Sequence, residues 1–162
     1  NGRSSSYYIC HMNAKFKTSK KILKVLTEEK RIKISSPETY NRFKKRIDEI
    51  KKNLINMLRK LKIQKKIIHG YGASTKGNVL LQYFNIDNKF LDCISDRNPK
   101  KNNCYTPGTN IKILTESKSR SLKPDYYLVL PWHFKTEILK REKNIRRKGT
   151  KFIFPLPIPK II

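Results

Sequence analysis

The chain has 162 residues, enough for one folded core with a helical extension, and its 37% hydrophobic and 10% aromatic content exclude a disordered tail. Its 38 Lys and Arg against 12 Asp and Glu give a formal net charge of +26, which raises nucleic acid or an anionic membrane as partners. No run of 18 apolar residues offers a membrane span, no C-x-x-C or zinc spacing links the three Cys and three His, and the opening residues do not read as a signal peptide.

Residues 1–6 are polar, and a loose segment is expected there. Residues 6–12 are aromatic and β-branched and form a candidate strand. Within it, Cys10-His11 reads as a small buried thiol beside a surface imidazole, because neighbours on a strand point to opposite faces. A basic helix is predicted over 19–30, with Ile22, Leu23, Val25 and Leu26 as its apolar side. Ser35-Ser36-Pro37-Glu38 is a start signal: a serine cap, proline at the first helical position, then an acid. The helix it opens is predicted over 37–62. Tyr40, Phe43, Ile47, Ile50, Leu54, Met57, Leu58 and Leu61 recur at steps of three and four and make one stripe. The stripe suits a helix lying on its own domain or on a neighbour better than a dimer seam, since its flanks are basic and not complementary.

The chain is organised around Ile67-Ile68-His69-Gly70-Tyr71-Gly72-Ala73-Ser74-Thr75-Lys76-Gly77-Asn78-Val79-Leu80-Leu81. Residues 65–68 are the predicted strand, Gly70 and Gly72 a turn, and a helix runs to about Phe84. Ser74 or Thr75 caps that helix, and Lys76 lies in its first turn. The order strand, glycine loop, helix opens a Rossmann-like unit whose helix start favours an anion. The spacing Gly70-x-Gly72-x4-Gly77 matches neither G-x-G-x-x-G nor a P-loop, so the expected ligand is nucleotide-like or a sugar phosphate, without NAD or ATP being implied.

A turn at 85–89 leads to a second strand at 90–95, ending at Asp96-Arg97-Asn98-Pro99. Asp96 is placed either to meet ribose hydroxyls or to cap a turn. Tyr105-Thr106-Pro107-Gly108 is a tight turn; a short strand at 111–113 and a short helix at 117–122 follow. Residues 125–130 are a buried strand with Pro131-Trp132-His133-Phe134 just beyond it. A helix over 135–148 closes at Gly149, 151–154 is the last strand, and Pro155, Pro157 and Pro159 stop regular structure. Ligands of open α/β sheets collect at the carboxyl ends of strands. That edge gathers Gly70, Tyr71, Gly72, Ala73, Ser74, Lys76, Gly77 and Asn78 with Asp96, Arg97, Asn98, Trp132 and His133, the candidate substrate-binding residues. Trp132 and His133 read equally as a platform for a sugar or base and as core and structural residues. His69 reads as packed. The fold class is α/β: a Rossmann-like, mostly parallel sheet flanked by helices, with an N-terminal helical extension.

Several of these motifs together resemble one family. Asn1-Gly2-Arg3-Ser4, the loop 70–78, Asp96-Arg97-Asn98-Pro99, Pro107-Gly108-Thr109, Pro124-Asp125-Tyr126, Leu130-Pro131-Trp132-His133 and Lys151-Phe152-Ile153-Phe154-Pro155-Leu156-Pro157 look, in this order, like the C-terminal domain of the sugar C-methyltransferases. The resemblance covers nearly the whole chain, and Arg3 stands where the family usually has a second glycine. It implies an S-adenosylmethionine-dependent enzyme that methylates a carbon of a nucleotide-linked deoxysugar, with a zinc-binding domain and a methyltransferase domain upstream. It also implies that residues 70–78 and the Trp132-His133 edge face the sugar nucleotide. Under it, residues 1–16 are the end of a preceding methyltransferase domain or an N-terminal strand, 17–64 a helical extension, and 65–162 the Rossmann-like domain. The family's Glu-His catalytic pair, its zinc cysteines and an S-adenosylmethionine loop have no counterpart here, so methyl transfer by this stretch alone, and a bound cofactor or metal on it, are not expected. Asn1 in place of Met points to a piece of a longer chain.

Two other readings stay open: a basic nucleic-acid-binding module and a stand-alone nucleotide-binding Rossmann-like protein. The first is weakened because Lys outnumbers Arg 28 to 10 while Ile (20) and Asn (13) are also abundant, the mark of an AT-rich coding bias. The widely spaced cysteines suggest reduced thiols and a cytoplasmic location.

Overall fold

The computed structural model describes residues 6–162. The chain divides into two compact units between Ile47 and Asp48. In the first, residues 6–10 carry no regular structure, and Tyr7, Tyr8, Ile9 and Met12 are exposed. The strand expected at 6–12 does not form, and Cys10 is exposed rather than buried. The residues of the opening motif before Ser6 lie outside the described part. Helix α1 (Lys20–Arg31) starts where Ser19 accepts the Lys21 N–H at 3.2 Å. Glu28 and Arg31 pair one turn apart in it. Helix α2 (Pro37–Ile63) begins at the proline, as predicted. Tyr40 and Phe43 of its stripe are exposed within the first unit.

In the second unit α2 buries Leu54, Leu58 and Leu61 of the stripe, and Ile55 beside them. Such residues each stabilise by roughly 1.5–3 kcal/mol when fully covered. Lys51 Nζ donates to the Tyr83 carbonyl at 2.8 Å, and Lys62 pairs with Asp92 at 3.1 Å. The first strand, β1 (Ile68–Tyr71), starts three residues later than expected. The cause is the end of α2: Lys65 takes a left-handed φ of 58°, and the Lys66 N–H reaches back to the Leu61 carbonyl, a helix-closing turn. Helix α3 (Thr75–Phe84), capped by Ser74 at one end and left-handed Asn85 at the other, leads to β2 (Cys93–Asp96). Phe90 and Leu91, expected in that strand, instead donate backbone N–H groups to the Asp87 carbonyl in a turn. Then come β3 (Ile113–Thr115), α4 (Glu116–Ser121), β4 (Tyr126–Val129), α5 (Lys135–Arg141), α6 (Lys143–Arg147), β5 (Lys151–Phe154) and β6 (Lys160–Ile161).

The strands form one sheet in the order β3-β2-β1-β4-β5-β6, parallel except for β6. This is the doubly wound Rossmann-like order, with its reversal between β1 and β4. The α/β fold class is as read from sequence. Besides the missing strand at 6–12 and the later starts of β1 and β2, three elements differ. The short strand expected at 111–113 runs over Ile113–Thr115 instead. The helix expected over 135–148 is divided at Glu142, whose side chain turns into the interior with 2% exposure. And the prolines after β5 do not end regular structure. Lacking N–H groups, they leave the ladder and let the chain reverse, and Phe152 and Ile162 exchange two backbone bonds of 2.9 Å.

Alternation on the buried strands sorts the core into two faces. Tyr71, Tyr127, Val129, Phe152 and Phe154 gather with Ile138 of α5 on one. Ile68, Gly70, Ile94 and Leu128, in register across three strands, belong to the other. His69 is 1% exposed. Its Nδ1 meets Ser119 Oγ at 2.8 Å, and that hydroxyl meets the Tyr127 hydroxyl at 2.9 Å. Burial lowers the His69 pKa and pushes the Cys93 thiol up to about 11. Both are satisfied interior groups, as the packed reading of His69 anticipates. Among the described residues no helix is long and apolar enough to cross a membrane, and no group of three or more His, Cys, Asp or Glu could hold a metal ion.

Candidate functional site

A cavity of about 390 Å³ opens at the carboxyl ends of β1, β2 and β4, at the topological switch point. Size and place fit a small-molecule site. The glycine loop forms one wall. Gly72 has a φ of +79°, which a residue with a side chain adopts rarely, and a Cβ there would also come within 3.0 Å of Pro131. Its N–H donates to the Ser95 carbonyl at 2.7 Å. Ser74 turns the chain into α3, its Oγ accepting the Gly77 N–H at 3.1 Å.

Asp96 ends β2 and fixes this loop. One carboxylate oxygen accepts the Ala73 N–H at 2.7 Å and the other the Asn98 N–H at 2.8 Å. Lys101 Nζ bonds the Ala73 carbonyl at 2.7 Å and lies 3.5 Å from Asp96. Of the two roles open to Asp96 from sequence, the geometry realises the turn-holding one. It also means that an internal anion already occupies the Ala73 amide, a group that a phosphate would otherwise seek.

The opposite wall is held by a charge network centred on the buried Glu142. The Tyr71 hydroxyl donates to Glu142 at 2.7 Å. Arg120 grips both Glu142 oxygens at 3.0 and 3.1 Å, and Arg141 Nε donates to Glu142 at 2.8 Å. Arg141 also bonds Glu116 and the Tyr71 hydroxyl, and stacks 5.3 Å above the Tyr71 ring. Burial, with Glu142 beside it, holds the Tyr71 phenol well above its ordinary pKa, so it is protonated throughout the working range.

Of the residues named from sequence, Tyr71, Gly72, Ala73, Ser74, Asp96 and Arg97 line the cavity together. The others lie elsewhere. Gly70 is inside β1, where a Cβ would meet Ile94 Cγ1 at 2.7 Å; it serves close strand packing, not the turn. Gly77 packs on Leu130. Lys76 is exposed on the first turn of α3, and Asn78 is one turn further in. Asn98 caps the 3-10 turn Pro99–Lys101. Trp132 packs against the aromatic core cluster, and His133 stacks beside Phe134. Pro131 and Phe134, which the sequence places at this edge beside Trp132 and His133, also line it; sequence reading missed Ser95, Lys101, Glu116, Glu137, Ile138 and Arg141. Two signals could have found most of them. Glu116 directly follows β3, and Phe134, Glu137, Ile138 and Arg141 recur at helical steps of three and four after β4.

This geometry is that of a Rossmann-like domain with a cleft at its switch point. The family model for the C-methyltransferase C-terminal domain matches residues 1–157, and the chain belongs to that family. It is also 30% identical over 141 residues to the C-methyltransferase NovU of Streptomyces niveus, a match covering 87% of this chain and 34% of that protein. The chain thus spans about a third of the length of the curated relative it matches.

Proposed function

We propose that residues 65–162 form the domain that holds a nucleotide-linked sugar in an S-adenosylmethionine-dependent sugar C-methyltransferase. The observation that carries this is the cavity at the switch point, in a chain of the C-methyltransferase family. The domain orients a keto sugar against a preceding methyltransferase domain, and such positioning supplies a large part of catalysis. The cavity does not fit S-adenosylmethionine well. The acid that would meet its ribose, Asp96, is committed to the amides of Ala73 and Asn98. In this reading the cofactor and the base that removes the sugar proton belong to the upstream domain, and the described residues bind and orient.

A calorimetric titration of the full-length protein with UDP-, dTDP- and GDP-linked hexoses tests it. Saturable binding of at least one is expected. Arg97→Ala should weaken it about threefold to tenfold, since Arg97 is an exposed cation of the lining. No binding of any hexose nucleotide sinks the reading.

A further inference from the structure

The lining of the cavity carries an electrostatic pattern that sorts the parts of a ligand. Among the described residues six charged ones border it: Asp96, Glu116 and Glu137 against Arg97, Lys101 and Arg141. The signs balance, and two of the cations are already engaged by protein groups. Lys101 lies 3.5 Å from Asp96 and bonds the Ala73 carbonyl, and Arg141 is bonded to both Glu116 and Glu142. A diphosphate inside would face three carboxylates, and the charge of Lys101 and Arg141 is already balanced by them and by Glu142; like charges at close range in a partly desolvated cleft repel strongly.

The remaining lining suits a neutral guest. Pro131, Phe134 and Ile138 offer apolar surface, and Glu116 and Arg141 stand side by side, an acceptor next to a donor. Arg141 is held by the Tyr71 ring and Glu142, and Glu116 is also 3.5 Å from Arg120, so the pair is pre-organised. Adjacent acceptor and donor match an uncharged group that offers a hydrogen-bond donor beside an acceptor.

We propose that the cavity receives the uncharged part of the ligand, read by Glu116 and Arg141, while the diphosphate stays outside it. This rests on the nucleotide-sugar reading and adds which part enters. Two sources have the required chemistry: the hydroxyls of the hexose ring, and the base and ribose of the nucleoside. Glu116 is then a specificity-determining residue.

The test uses the sign of one substitution in the full-length protein. Glu116→Gln removes a negative charge and half of the acceptor capacity while keeping size. If an uncharged group sits there, a hydrogen bond to a charged partner is lost, and affinity for a nucleotide-linked hexose falls roughly tenfold or more. If the diphosphate sits there, the same change relieves repulsion and affinity rises. Hexose 1-phosphate and the matching nucleoside diphosphate are titrated alongside. Loss of affinity for the first assigns the hexose, and loss for the second assigns the nucleoside, while pyrophosphate affinity stays unchanged. Glu137→Gln, exposed and outside the salt-bridge network, serves as a second variant should the first unfold: it must not tighten binding. Tightening by either variant, an unchanged affinity for the intact ligand in a folded Glu116→Gln protein, or pyrophosphate binding that responds to Glu116→Gln overturns the proposal. In all three cases the nucleotide-sugar reading survives. Absence of any nucleotide-sugar binding by the unsubstituted protein overturns both.

Discussion

Replacing Glu142 with alanine is expected to destabilise the domain by about 3 kcal/mol, the lower end of what loss of one partner of a buried ion pair costs. Glu142 is 2% exposed and accepts from Tyr71, Arg120 and Arg141. Removing it leaves two guanidinium groups and a buried phenol facing one hole, with Glu116 alone to balance both cations. The lower end applies because the Arg120 and Arg141 side chains keep 41% and 36% of their exposure, and water screens what remains. Urea denaturation measures this as a lower midpoint at unchanged slope. A loss below about 1 kcal/mol would place the network among ordinary surface ion pairs. The same residue divides α5 from α6, so its removal should also loosen the wall that carries Arg141.

The second large effect is expected at Gly77, and it runs against helix propensity. Alanine in a helix is favoured over glycine by about 1 kcal/mol. Here, however, the added Cβ would lie 2.4 Å from Leu130 Cβ and 2.9 Å from Ser74 Oγ. Leu130 Cβ is one bond from the backbone and cannot swing aside, so the start of α3 must lift away from the end of β4. That strain costs about 1–3 kcal/mol. Disturbing the serine cap adds about 1 kcal/mol. The net expectation for Gly77→Ala is a loss of roughly 2 kcal/mol, with weakened ligand binding because Ser74 lines the cavity. Equal or greater stability in thermal and urea unfolding would show that α3 can shift freely.

The sheet was legible in the sequence because its central strands are buried on both faces and read as continuous apolar runs, such as residues 126–130. Boundaries failed where a local cap outcompeted hydrophobicity. Lys65 looked like a strand entry and is a helix end, while Phe90 and Leu91 are apolar yet held by an Asp87 turn. The short β6 was hidden because its residues follow three prolines; only the tertiary partners Ile153 and Phe154 make them a strand.

The site was half legible for a similar reason. Strand-to-loop transitions mark themselves with Gly, Ser and Asp, so Gly72, Ser74 and Asp96 stood out. Their roles were less visible. Whether Asp96 faces a ligand or the Ala73 amide depends on two loops meeting, and nothing local encodes that. Gly70 looked like a turn glycine and Gly77 like the last glycine of an anion-binding loop; what they avoid are Ile94 and Leu130, distant in sequence. Arg141 and Glu116 were lost among many charges. Their partnership is formed by α4 and α5 converging on Tyr71.

The account's central claim is that the cavity at the ends of β1, β2 and β4 is where the sugar nucleotide sits. Backbone amide exchange of the full-length protein, with and without a saturating nucleotide-linked hexose, tests it most directly. Slower exchange is predicted at residues 71–74, 95–97 and 134–141, segments that supply most of the cavity lining. Saturating binding with protection confined to residues outside 65–162 would contradict it.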